Sequence, residues 1–401
     1  MNILFVTDRF PWPIFSGDSS TAYYLIKQLS ERNRIYLVSF IREEREEEFS
    51  IHIKNFCASI KTVLLPEIFS KGSILERLFS RYPMPFKRSY SPKMKEIIKE
   101  TLLKEDIDIV HINSLKMGIY FLDIDRPKIF ALRDSYAYYL GQLMKYQKGD
   151  ILEKINLVIY YQRVRNYEKD LVNKLGTSVV VAKEDRDFLR HYTPKADIRV
   201  IPIGVDTEFF SIQDTKPKLN TLIFTGNMSY PPNADAVVYF YKEIFPLIKR
   251  KMPEVRFYVV GRFESQILSS KAKDIIFTGF VPDIRPYLRE ASVFVCPLRF
   301  GTGMKNKILE AMAMGKPIVA TKKSLSGIDF EDKKHLLIAD NPEDFAQKVT
   351  LLLKNENLCQ QLGRQARSLV TEKYTWTRVT EEYQGLYEEA LDVWNMRNNK
   401  F

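Results

Sequence analysis

Apolar residues in this chain follow two alternating rhythms. Short dense runs rich in β-branched and aromatic residues predict strands buried on both faces: Ile3 to Thr7, Ile35 to Phe40, Lys128 to Leu132, Ser178 to Val181, Leu222 to Thr225, Arg256 to Val260, Ile275 to Thr278, Val293 to Cys296 and Ile318 to Ala320. Between them the apolar positions return every three or four residues, which predicts helices. Ala22, Leu25, Ile26 and Leu29 line one side of Thr21 to Leu29, a longer pattern covers Ile151 to Leu175, and others run over Asn233 to Arg250 and onward from Pro342, Glu356 and Trp376. Strand and helix in repeated succession predict an α/β protein with doubly wound parallel sheets. The alternation halts over Ile212 to Asn220, where Pro217 and two lysines fall, and then restarts. Two domains are therefore predicted, 1–211 and 212–375.

The junction from Val293 to Ala320 has the most informative composition. Met304, Ile308, Leu309, Met312 and Ala313 recur at helical spacing, and Gly315 followed by Pro317 supplies a helix stop. Ahead of this helix stands Arg299-Phe300-Gly301-Thr302-Gly303. Its two glycines let backbone amides approach a ligand at a helix N-terminus, where unsatisfied amides and the helix dipole favour an anion. Arg299, Lys305 and Lys307 add positive charge, so the predicted guest is a diphosphate. Glu310, in the same helix, has two readings. It forms a surface ion pair with Lys305, Lys307 or Lys316, or it accepts two hydroxyls of a ribose held beside the phosphate site. Other strands of this half also end in glycine, at Gly226-Asn227, Gly261-Arg262 and Gly279-Phe280-Val281, and the last of these can line a base with backbone groups and an apolar wall.

The first half has polar strand ends of its own. Asp8-Arg9-Phe10-Pro11-Trp12-Pro13 after the first strand lacks the glycine fingerprint of a dinucleotide site, but Gly17 and Asp18 precede a helix and again offer amides to an anion. The strand Ile107 to Ile112 brings His111, Asn113 and Ser114 to its carboxyl end, where open α/β sheets hold their ligands. On pattern alone His111 reads first as a partnered core histidine. Arg133-Asp134-Ser135 closes the next strand; Asp134 is a cap for the helix from Tyr136 or an acid facing the acceptor, and the cap is the plainer reading. Asp106-Ile-Asp108 precedes its strand and Asp123-Ile-Asp125 sits in a turn, so neither Asp-x-Asp pair predicts a metal site, and no catalytic metal is expected.

The stretch from Thr302 to Val319 resembles the donor-site signature of the retaining glycosyltransferases of family four, which have the GT-B fold. That signature is a Glu, seven residues, a second Glu, and then Ala-Met-Ala-x-Gly-x-Pro-Ile-Val. Glu310 to Val319 matches from the second Glu onward; Thr302 stands in place of the first, a departure that bears on the sugar contact and not on the nucleotide contact. Ile198 to Phe210 resembles the family's interdomain strand and linker, and Asp108-Ile-Val-His-Ile-Asn113 its active-site histidine stretch, which shifts His111 toward a site role. Where family members carry Arg and Lys after the first strand of the second domain, this chain has Asn227-Met-Ser-Tyr-Pro-Pro.

The resemblance implies two Rossmann-like doubly wound domains facing each other across a cleft, with the C-terminal helix 376–401 packing back on the first. It implies His111, Arg299, Lys307 and Asp134 at the chemistry. Gly17, Gly226, Asn227, Arg262, Phe280, Val281, Gly301, Thr302, Gly303, Met304, Lys305 and Glu310 then lie around a nucleoside-diphosphate sugar. The implied reaction is metal-free, same-face transfer of a sugar to a glycan or lipid-linked glycan, and Lys307 three residues before Glu310 looks like a bacterial polysaccharide-assembly branch. A nucleotide-sugar epimerase on this fold, or a non-catalytic nucleotide-sugar or glycan-binding protein, are the alternatives.

Composition narrows the partners. With 401 residues, 45% of them hydrophobic, the chain can build two cores. Cys57, Cys296 and Cys359 are isolated, which suits a reducing compartment, and neither a leader nor a membrane-spanning run is apparent; a cytoplasmic protein is expected. A net charge of +11 raises polyanions, but no basic tract with interleaved aromatics or nucleic-acid motif is present, so nucleic acid is not expected as a partner. The basic stretch 68–95 sets Lys71, Arg77, Arg81, Lys87, Arg88, Lys93 and Lys95 against one acid, Glu76, among Ile74, Leu75, Leu78 and Phe79. It reads as a helix packing on its own domain, or as a segment lying on an anionic bilayer at the inner face of the plasma membrane.

Overall fold

The computed structural model describes residues 1–14, 17–65, 83, 86, 90–146, 150–213, 217–262 and 274–398. The chain divides into two units, Met1–Pro202 with Val379–Phe401, and Ile203–Arg378.

In the first unit β1 (Asn2–Thr7), β2 (Arg34–Ile41), β3 (Ser59–Leu64), β4 (Ile109–Asn113), β5 (Lys128–Arg133), β6 (Thr177–Val180) and β7 (Ile198–Val200) form one parallel sheet in the order β3-β2-β1-β4-β5-β6-β7. Ile3, Leu4, Phe5, Val6, Ile109, Val110 and Ile112 are inaccessible to solvent, as strands covered by helices on both faces must be. The helices are α1 (Gly17–Leu29), α2 (Pro92–Lys104), α3 (Tyr136–Tyr146), α4 (Ile151–Lys174) and α5 (Lys183–Tyr192). Strand order reverses between β1 and β4. That reversal opens a crevice at the carboxyl ends of the two strands, the place where such sheets hold ligands.

The second unit repeats the plan with β8 (Thr221–Thr225), β9 (Arg256–Val260), β10 (Ile275–Gly279), β11 (Val293–Cys296), β12 (Ile318–Ala320) and β13 (Leu337–Ile338), in the order β10-β9-β8-β11-β12-β13. Its reversal lies between β8 and β11. The helix predicted over Asn233 to Arg250 is broken: α6 (Pro231–Tyr239) passes through a wide π-type turn, Phe240–Ile244, into α7 (Phe245–Lys251). Pro246 has no amide to continue the α ladder, and this explains the break. α8 (Arg285–Glu290), α9 (Asn306–Ala313), α10 (Pro342–Lys354) and α11 (Glu356–Lys373) follow, and the last helix, α12 (Trp376–Asn398), belongs to the first unit from Val379 onward.

The division falls after Pro202, ahead of the 211/212 boundary suggested by Pro217. The cause is a set of bonds that tie the segment from Ile203 to Phe210 into the second unit. Val205 N donates to Tyr374 O at 2.8 Å, and Arg367 of α11 donates to the carbonyls of Phe210 at 2.6 Å, Thr207 at 2.8 Å and Ala313 at 2.5 Å. Most of the basic stretch 68–95 lies outside the described residues. Phe86, within it, packs edge-on to Tyr136 and against Tyr167 of its own unit. No helix among the described residues is long and apolar enough to cross a membrane.

Candidate active site

At the carboxyl edge of the second sheet three strands end in glycines with left-handed or nearly extended positive φ, 154° at Gly226, 130° at Gly261 and 70° at Gly279. They are stitched backbone to backbone: Gly226 N donates to Val260 O at 2.9 Å and Gly261 N to Gly279 O at 3.1 Å. A Cβ at Gly261 would stand 2.0 Å from the backbone oxygen of Gly226, so only glycine fits there; one at Gly226 would stand 2.5 Å from Lys307 Nζ and displace that side chain, at a φ that side chains rarely adopt. Beside them, the loop after β11 turns through Gly301 at φ 129° and Gly303 at 65°. Residues that sequence reasoning did not single out hold this loop from below. Thr321 Oγ1 donates to Leu298 O at 2.5 Å, Leu298 N to Ser324 Oγ at 3.2 Å, and Ser324 Oγ to Cys296 O at 2.6 Å. The signal for them was the Thr-Lys-Lys-Ser capping pattern after β12, where Thr321 caps the turn by accepting from Ser324 N.

The three predicted cations are not equivalent. Arg299 is engaged by Asp235 of α6 through Nε and Nη2 and lies 4.7 Å from the Tyr239 ring centroid, so it braces α6 against the loop. Lys305 is buried, with Nζ donating to the carbonyls of Thr302 and of Gly303, the latter at 2.8 Å; it locks the loop from inside. Both cations lie beside the loop, as the sequence pattern suggested, Arg299 exposed and Lys305 buried, and each already has partners within the protein. Lys307 points under Gly226, with Nζ donating to Asn233 Oδ1 at 2.7 Å and 4.0 Å from the Phe224 ring centroid. Burial pushes its pKa down to about 8, while Cys296 and Glu310 pull the other way.

Glu310 decides between its two readings. Its carboxylate makes no hydrogen bond or ion pair, because Lys305, Lys307 and Lys316 are engaged elsewhere, Lys316 with Arg289 O at 3.1 Å. The half-buried carboxyl is pushed up to about 7 by burial, against the pull of Lys307. The surface ion-pair reading therefore fails, and an acceptor open to hydroxyl donors remains. Around it Thr302 and Met304 are buried, Met304 Sδ accepting from Ile203 N at 3.4 Å. Asn227 is exposed and spends its Oδ1 on Ser229 N at 2.9 Å. Arg262 is exposed, Phe280 is 52% exposed and Val281 half-buried, which leaves an apolar wall open to solvent.

In the first unit, the edge between β1 and β4 collects buried polar groups. His111 is fully buried, stacked on Phe5 at 4.3 Å between centroids, with Nδ1 2.7 Å from Tyr387 Oη of α12. Burial depresses its pKa to about 3, so the ring is neutral. It is thus a partnered core histidine on one side, whereas Nε2, on the other, has no hydrogen-bond partner. Ser114 Oγ and Arg133 Nε, at the ends of β4 and β5, are likewise buried without partners, and both residues have positive φ, 112° and 74°. Arg133 pairs with Asp18, next to Gly17, and holds that carboxyl below the usual range. The cap assigned to Asp134 comes from elsewhere: the first amides of α3, at Tyr136, Ala137 and Tyr138, bond to Glu168 and to Ser135 Oγ.

Asp108 accepts from Asn2 N at 2.7 Å and Asp123 from Lys95 Nζ at 2.8 Å, so both tempting triplets have structural work. Among the described residues no group of three His, Cys, Asp or Glu side chains is placed to hold a metal ion.

Two family models match the chain, Glycosyltransferase Family 4 over residues 15–209 and Glycosyl transferases group 1 over residues 220–355. Among curated relatives, the phosphatidyl-myo-inositol mannosyltransferase of Mycobacterium leprae is 22% identical over 326 residues, covering 76% of this chain and 81% of the relative. The chain also superposes on sucrose-phosphate synthase from Thermosynechococcus elongatus with a TM-score of 0.73 at 16% identity, covering 98% of this chain and 99% of that one. Against HepE from Anabaena, solved with UDP and glucose, the TM-score is 0.69 at 13% identity, with 97% and 100% covered.

Proposed function

Because the chain belongs to the family-four glycosyltransferases, with the two Rossmann-like domains of the GT-B fold, we propose that it moves a sugar from a nucleoside diphosphate to a hydroxyl of a glycan or lipid-linked glycan, with retention and without a metal. The observation that carries the donor assignment is Glu310, a half-buried carboxyl with no partner of its own, set one helix turn from Lys307 and beside the Gly301–Gly303 loop. In this reading Glu310 accepts the ribose hydroxyls. The amides of the glycine loop and Lys307 stabilise the charge that collects on the diphosphate as the anomeric C–O bond breaks. The acceptor oxygen attacks the same face, and its proton passes to the departing phosphate oxygen. His111, neutral and buried with Nε2 unpartnered at the edge of the first sheet, is the residue that the family resemblance implies as the active-site histidine. Thr302, in place of an acid, leaves the sugar of the donor held with one charge fewer.

Incubating the protein with UDP-glucose, UDP-N-acetylglucosamine and GDP-mannose, with and without glycan acceptors, tests this. Nucleotide release that Glu310→Ala abolishes supports transfer. Release undiminished in that variant, an epimerised donor, or binding without turnover would each overturn it.

We further place the enzyme in bacterial surface polysaccharide synthesis, in the cytoplasm at the inner face of the membrane, with the stretch 68–95 attracted to anionic lipid at about 1 kcal/mol per cation. Co-sedimentation with anionic liposomes should be salt-sensitive and lost when Arg81, Lys87 and Arg88 become Glu. Binding that ignores those changes would leave the acceptor a soluble one.

A further inference from the structure

The β5–α3 corner of the first unit is built in a way the proposed transfer does not explain. Arg133 sits at φ 74°, a left-handed backbone that is unfavourable for a side-chain-bearing residue, and the pairing of β5 with β6 slips there between Ala131 and Arg133. A strained corner persists only where its surroundings over-determine it. Val181 N donates to Arg133 O at 2.7 Å and Ser135 N to the buried Asp185 Oδ1 at 2.9 Å. The rest converges on one fully buried carboxylate of α4, Glu168. Its Oε1 accepts from Tyr136 N at 2.6 Å and Ala137 N at 3.1 Å, and its Oε2 from Ser135 Oγ at 2.8 Å and Tyr192 Oη at 3.0 Å.

We infer that Glu168 is a positioning residue for glycosyl transfer: it fixes the corner from Arg133 to Ala137 and thereby holds Arg133 against Asp18 at the carboxyl edge of the first sheet, beside the Gly17 loop. A carboxylate without four donors would be too costly to bury, and a corner without the carboxylate would leave two amides and two hydroxyls unsatisfied. The arrangement stabilises one geometry of Arg133 and no other. Even with its four partners, burial pushes Glu168 up to about 7, a sign of how little solvent reaches it. The role rests on the transferase reading, since Arg133 needs positioning only if substrate meets that edge.

The test is Glu168→Gln in the full chain, which keeps the shape but turns amide hydrogens toward donors. Nucleotide release is measured from whichever of the three sugar nucleotides the unaltered protein consumes. The expected result is a kcat lower by about tenfold or more, with donor KM within about twofold, because a displaced group harms chemistry more than binding to the other unit. The loss should vanish in an Arg133→Ala background. An unchanged kcat, an equal loss in both backgrounds, or kcat and KM failing together would overturn the inference. If Glu168→Gln does not fold, Tyr192→Phe removes one of the four bonds and is held to the same criteria. An unaltered protein that consumes no sugar nucleotide would instead sink the transferase reading, and this inference with it.

Discussion

Lys307→Met should separate stability from turnover. The lysine is half-buried under Gly226 with its pKa lowered from 10.5 to about 8, a net shift equivalent to about 3 kcal/mol against the charged form at neutral pH. The Phe224 face and the Asn233 bond offset part of the cost of burying the charge but do not remove it. Methionine fills the same space without charge, so folding stability at neutral pH should hold or rise, by up to about 3 kcal/mol. Nucleotide release should nevertheless fall about a hundredfold, as when one preorganised charge-stabilising donor is removed. A pH series adds an internal check. Between about 8 and 10.5 the unfolded lysine still holds its proton while the folded one has lost it, so stability of the unaltered protein should rise with pH relative to the variant. Denaturant midpoints and steady-state release measure both. A variant destabilised by more than about 2 kcal/mol, with activity lost only in proportion to unfolded protein, would make Lys307 a structural lysine and refute the reasoning.

Glu310 is held at about 7, so the affinity for UDP or GDP measured by calorimetry should weaken as pH falls from 8 to 6 and the carboxyl is protonated, and Glu310→Gln should bind about tenfold more weakly at pH 8 and show no such slope. Gly261→Ala, whose Cβ would meet Gly226 O at 2.0 Å, should cost about 3 kcal/mol or more or prevent folding. Gly279→Ala, with no atom within 4 Å, should cost only its left-handed backbone, about 1 kcal/mol; equal losses at the two positions by urea unfolding would contradict the packing described. His111 stays neutral down to about 3 whereas an unfolded histidine gains its proton near 6.5, so stability should drop by up to about 1.4 kcal/mol per pH unit below 6.5, a loss that His111→Gln should lack.

Strand and helix periodicity made both sheets legible, because strands covered on two faces leave dense apolar runs and crossover helices leave a repeat near 3.6. The glycine loop was legible for a related reason, since positive φ and a helix start demand particular residue types, whereas pattern left Glu310 two readings and it was singled out only by the family motif. Side-chain destinations were not. Nothing in the spacing of Arg299, Lys305 and Lys307 says that the first turns to Asp235, the second to carbonyls of its own loop and the third beneath Gly226, since each partner lies on a segment distant in sequence or behind the backbone. Glu168 escaped notice because a lone acid in a polar helix looks like solvated surface until α3 and α5 close over it. The two units divide ahead of the predicted 211/212 boundary for the same reason, as Arg367 reaches the linker from over a hundred residues away.

The glycines at the ends of β8, β9 and β10 leave a floor on which backbone meets backbone and no side chain can be added at Gly226 or Gly261 without collision. Such a floor is chemically anonymous: every peptide offers the same amide and carbonyl. If the proposed donor site lies here, the floor answers to a phosphate and not to the attached base, and the choice of nucleotide falls to the margin at Asn227, Arg262, Phe280 and Val281, whose side chains meet solvent at least in part. Redesign of nucleotide choice then begins at those four positions and leaves the glycines alone.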